Sequence, residues 1–171
     1  MSTEKNRAIL RATHERQTHD LLVQLRRNGI EIFCPLTATY LKAEGTLEKE
    51  VRSFLSRHTP SSFLEEYGMA FLEFLMVGND RFIRSLAAFE RAMIRVQSGE
   101  TTEFDVEWPC DPRPVLGTLR NGGRVVVGAK GTATFHTLVS QAYRDGYIVT
   151  SSDWRPDTIP PGPKRLVTPS E

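Results

Sequence analysis

Apolar residues in the first two thirds of the chain recur at helical spacing and are interrupted by capping and breaking residues, which together predict a run of helices. Residues 4 to 28 form the first, closed at Asn28-Gly29, where glycine takes a left-handed C′ conformation at little cost. Its middle, from Thr13 to Asp20, is polar throughout, so that stretch faces water or lies against a partner. A short helix follows over 36 to 44, stopped by Gly45. Thr46 then caps a helix whose Leu47, Val51, Phe54 and Leu55 make one stripe. After Thr59-Pro60, Ser62 and Glu65 have the spacing of a capping box. The helix they open carries Phe63, Tyr67, Ala70, Phe71, Phe74 and Leu75 on one side. Gly78-Asn79-Asp80 separates it from a last helix with Phe82, Leu86, Phe89, Met93 and Val96 inward. These elements predict a helical bundle with an aromatic core.

After Gly99 the pattern changes to β-branched residues, glycine and proline, which places a lobe boundary near residue 100. Thr102 to Trp108 alternates as a strand, and Asn121-Gly122-Gly123 between residues 115–119 and 124–127 is a hairpin signal. Phe135, Leu138, Val139, Ala142 and Tyr143 fit a short helix ended by Gly146, with a final strand over 147 to 150. The fold class expected is α+β: an N-terminal helical bundle over 1–99, then a small β-rich lobe with one helix over 100–155. Five of the ten prolines fall between Pro156 and Pro169, so residues 156–171 read as an extended tail.

Charge narrows the partners. Lys and Arg number 22 against 21 Asp and Glu, leaving no field that favours nucleic acid or an anionic membrane. The N-terminus leads into no apolar signal region, and the apolar runs are too short to span a bilayer, so a cytoplasmic protein is expected. Cys34 and Cys110 lack C-x-x-C spacing and are expected as reduced thiols.

Candidate chemistry is sparse. His14 and His19 stand five residues apart, roughly 140° around a helix, and cannot share a metal as H-E-x-x-H does; Glu15 with His19 reads as a surface pair. His58 and His136 have no second ligand nearby in sequence. Cys110 would act as a nucleophile only if folding brought it a histidine, and a buried structural thiol is the plainer reading. The stretch from Gly123 to Lys130 resembles a phosphate loop in outline, but Val125, Val126 and Val127 belong in a strand. Arg81, Arg84, Arg91 and Arg95 share one side of their helix, within about 80° of one another. An acidic block follows, with Glu100, Glu103, Asp105, Glu107 and Asp111; the two attract one another or each meets a partner. A small sheet must leave an edge able to accept an extended peptide, and residues 124–127 (Arg124, Val125, Val126, Val127) or the strand with Tyr147 and Val149 would supply it.

The run from Ser61 to Leu75, SSFLEEYGMAFLEFL, followed by LAAFERA from Leu86 to Ala92, resembles a family of helical proteins that accompany TIM-barrel multinuclear iron enzymes acting on ribosomally made peptides. The E-Y-G-x-x-F-x-x-F-L core is the specific part. With the small β-rich lobe added, the chain is most similar in kind to the methanobactin biosynthesis protein C family. That resemblance implies a non-catalytic subunit, holding no cofactor itself, in a heterodimer with an iron-bearing barrel subunit. By the same resemblance the barrel would oxidise a peptidyl cysteine with dioxygen to an oxazolone with an adjacent thioamide, and the present chain would help hold the leader of the precursor of a copper-chelating peptide. Docking is then expected on the polar first helix and around Glu65, Glu66, Tyr67, Gly68 and Phe71, with Tyr67 and Gly68 serving structure or docking. Members of the wider family have been labelled DNA-binding proteins, and a nucleic-acid-associated regulator using the arginine stripe is the alternative. A free-standing enzyme using Cys110 with His136 or His58 is a third reading.

Overall fold

The computed structural model describes residues 2–59, 61, 63–126 and 134–152. Among these residues, six helices precede or interleave with a three-stranded antiparallel sheet, an α+β arrangement with its helices mostly N-terminal. They are α1 (Ser2–Phe33), α2 (Pro35–Ala43), α3 (Leu47–Leu55), α4 (Leu64–Met76), α5 (Arg81–Gln97) and α6 (Pro112–Arg120). The strands are β1 (Phe104–Trp108), β2 (Phe135–Val139) and β3 (Tyr147–Ser151), in the order β1-β2-β3.

The stripes of α3 and α4 meet in an aromatic cluster, where Phe54 packs edge-on against Tyr67 at 5.4 Å and against Phe71 at 5.6 Å. The sheet lies on α5 through Trp108 and Phe89, whose rings stand 5.8 Å apart. One hydrophobic cluster therefore runs from Val23 on α1 to Val139 on β2, across the compositional change near residue 100. Asp80 caps α5 by accepting from the Phe82 and Ile83 amides.

The first helix does not end at Gly29. Ile30 is fully buried and draws the chain inward for another turn, and a Cβ at Gly29 would stand 2.8 Å from Leu64, so this glycine serves a close approach. Pro35, at the first turn of α2, marks the break instead. The N-cap of α4 is Phe63 and makes no side-chain cap bond. Ser61 accepts from the Phe63 amide and donates to Glu66, while Ser62 of the expected capping box lies outside the described residues.

Two elements of the second lobe exchange character. The expected hairpin strand over 115–119 is α6: Asp111 caps it, Pro112 occupies its first turn, and Val115, Leu116 and Leu119 form its buried stripe. Gly122, with φ of 68°, follows that helix rather than turning a hairpin. Residues 123–126 adopt no regular structure, which removes the strand expected at Arg124, Val125 and Val126. The expected helix beginning at Phe135 is β2, pairing Trp108 with Phe135 and Phe104 with Val139. Its alternate residues Thr137 and Val139 are buried with Val106 and Trp108 of β1. The last strand stands as expected at β3. Val127, the glycine-rich stretch to Lys130, the 156–171 tail and the side chains of Glu15 and His19 lie outside the described residues.

Candidate functional site

Helix α1 presents two apolar faces. Val23 and Ile30 point inward, 2% and 0% exposed, whereas Leu21, Leu25 and Ile32 on the opposite side are 61%, 66% and 73% exposed. Those three fall within about 40° of one another around the helix. Leu22 extends the patch, and Phe63 and Leu64 at the start of α4 join it where Leu64 passes Gly29. Clustered large apolar side chains on an outer surface mark a contact site more often than chance exposure. The signal in the sequence is that apolar residues stand on both sides of α1, Val23 and Ile30 on one and Leu21, Leu25 and Ile32 on the other.

Of the docking residues expected on α4, only Glu65 and Glu66 reach the surface. Tyr67 and Phe71 are core side chains, 1% and 0% exposed, and Gly68 is buried under the Phe33 ring. Their role is therefore to fix α1 against α4. Burial pushes the Tyr67 hydroxyl up to about 12, against the pull of the Arg26 guanidinium lying 4.9 Å above its ring.

The sheet offers the second surface. β3 has one strand neighbour, β2, and among the described residues no strand pairs with the main chain of its other edge. Tyr147 and Val149 lie on this strand and are half-buried. Tyr147 turns its ring toward the helices, meeting Phe89 edge-on at 5.1 Å, and the Arg120 guanidinium lies 5.2 Å over it. The other expected peptide residues separate from this edge: Val125 is buried, Val126 is exposed, and Arg124 reaches toward Glu44 at 3.8 Å.

The arginine stripe and the acidic block meet each other. Arg81 pairs with Glu107 and Arg95 forms a two-pronged pair with Glu100 at 2.6 Å, while Arg91 takes Glu73 at 2.7 Å. Phosphate binding by these three would first have to displace carboxylates.

One buried carboxylate was missed from sequence. Glu90 on α5 is 3% exposed and accepts from the Leu36 and Thr37 amides at 2.7 and 2.8 Å, capping α2 from another helix. Burial pushes its carboxyl up to about 7, although the hydrogen bonds from Thr37 and Leu36 oppose that shift. An acid falling on the Leu86 and Phe89 side of α5 was the available clue.

The thiols show no activation. Burial pushes Cys34 up, with Glu90 adding to it, and burial and then Asp111 push Cys110 up. His136 pairs with Asp105 at 2.8 Å and His58 stacks on Phe54 at 4.6 Å, so both imidazoles are engaged away from Cys110. Among the described residues no three His, Cys, Asp or Glu side chains converge as metal ligands, and no helix is long and apolar enough to cross a membrane.

These features define an α+β protein with an outward apolar helix face and an open sheet edge. Comparison of the chain with protein families, curated proteins and solved structures finds no match.

Proposed function

We propose that this chain is a non-catalytic partner subunit that docks on a separate iron-dependent barrel enzyme through the outer face of α1 and presents a peptide along β3. The substrate is a ribosomally made precursor, whose leader pairs with the sheet edge while the enzyme, with dioxygen as the oxidant that is reduced, converts a cysteine to an oxazolone and neighbouring thioamide in copper-chelator biosynthesis of the methanobactin type. The observation that carries the partner reading is the exposed Leu21, Leu25 and Ile32 face, which gains nothing from solvent. The E-Y-G-x-x-F-x-x-F-L resemblance supplies the identity of the partner, and the free edge of β3 suits an extended peptide.

Co-expression with an iron-bearing barrel subunit tests it. A stable 1:1 complex is expected, with iron in the complex and none on this chain alone. Leu25→Glu should abolish the complex while leaving the melting temperature of the isolated chain unchanged, because that side chain is already exposed. Failure to form a complex, or one indifferent to charges placed on α1, defeats the reading.

A further inference from the structure

A cleft of about 350 Å³ opens between the end of α1, the start of α2, the second half of α5 and the end of α6. Its apolar lining includes Ile32, Leu36, Phe89, Met93 and Ile94, and Arg120 stands at its rim. The cleft adjoins the start of β3 on the helix-facing side. Phe89 touches the Tyr147 ring, Arg120 covers it, and a Cβ at Gly146 would lie 3.0 Å from the Met93 methyl. Residues opposite one another on paired strands share a face. A residue added beside Tyr147 on the free edge of β3, with its side chain on the Tyr147 face, would therefore look into this cleft. Arg120 makes no ion pair among the described residues, and its guanidinium, over the Tyr147 ring at the cleft rim, carries the N–H donors that suit an oxygen acceptor.

We propose that the cleft is the side-chain pocket of the β3 edge: it receives one apolar side chain of an extended peptide at the position opposite Tyr147, and Arg120 donates to a carbonyl or carboxylate oxygen of that peptide. The inference rests on the β3 reading above and adds the residue class that the edge selects. Main-chain pairing alone is indifferent to sequence, and a pocket beside the strand is what makes such an edge selective.

The test uses the full chain, labelled for amide and methyl NMR, titrated with two terminally blocked seven-residue threonine/lysine peptides at millimolar concentration. One carries leucine at its centre and the other alanine. The leucine peptide should shift the amides of β3 together with the Met93 methyl, and bind on the order of tenfold tighter than the alanine peptide. Met93→Trp, which fills the cleft, should erase that difference, and Arg120→Gln should weaken both peptides. Equal affinities with β3 amides moving and Met93 silent would overturn the pocket while leaving the β3 reading in place. Met93 shifting without β3 would also overturn it, because the cleft would then bind independently of the strand. Methyl shifts that grow with protein concentration in the absence of peptide would assign the cleft to a second copy of the chain. No shift at either place would remove the β3 reading and the pocket with it.

Discussion

The ring of Phe33, at the end of α1, lies against Gly68 of α4 so closely that a Cβ at position 68 would overlap its Cδ1 and Cγ atoms. The contact gives the glycine of the E-Y-G run a steric reason, and it joins two helices that also carry the exposed apolar patch. Gly68→Ala should lower stability by about 2 kcal/mol, the usual cost of forcing extra volume into a packed contact. Phe33→Leu in the same chain should restore part of it, a coupling that urea denaturation of the four-member cycle would measure. Additive losses would mean that the ring and the glycine are energetically independent.

Glu90 makes stability depend on pH. Its folded pKa, about 7, lies above the ordinary value of 4.5, so the folded chain holds this proton more firmly than the unfolded chain does. The contribution is fully present below pH 4.5 and is lost as pH rises through 7. Wild-type stability measured against Glu90→Gln should therefore fall by about 3 kcal/mol across that interval. A difference that stays flat between pH 4.5 and 7 would show the carboxyl to be unshifted.

Trp108 donates through Nε1 to the Thr137 hydroxyl at 3.0 Å, with both residues fully buried. Thr137→Val keeps the shape and strands the indole N–H, which should cost about 1–3 kcal/mol. Thr137→Ser, keeping the hydroxyl, should retain the Trp108 bond and lose only what the missing methyl contributed. Thermal melts of the two variants distinguish hydrogen bonding from packing, and equal losses would assign the effect to packing.

The two ion pairs that tie α5 to the chain after it should differ in strength. Arg95 meets Glu100 with two parallel bonds, is partly covered, and lies 4.6 Å over the Phe104 ring. Arg81 and Glu107 are both about half exposed. Arg95→Ala should cost about 1 kcal/mol and Arg81→Ala less than about 0.5 kcal/mol. Chemical denaturation in low and high salt checks the order, and a larger loss at Arg81 would reverse the argument.

The helices over 35–97 were legible because each stripe sits between clear breakers, as at Gly45 and Gly78-Asn79-Asp80. The hairpin expected around Asn121-Gly122-Gly123 failed because glycine serves helix ends as readily as turns, and Asp111-Pro112 upstream carried the stronger message of a helix start. Phe135 to Tyr143 fits both a helical and an alternating spacing, and pairing with β1 decided it. The β3 edge was legible from its composition. The outward face of α1 was not legible, because apolar residues stand on both its sides and only packing reveals which one is left over. Glu90 and Arg120 become notable only through residues distant in sequence, and a scan for local motifs passes over them.

The partner of Glu90 lies 53 residues earlier in the chain. A ribosome adds about 5–20 residues each second, so for roughly 3–10 s after Thr37 is made the carboxylate that will hold it has not been synthesised. During that interval α2 lacks its cap, and Leu36 and Thr37 have only solvent to satisfy them. Helix α2 thus cannot lock into place as it emerges: its closure waits on a side chain of α5, made after two further helices.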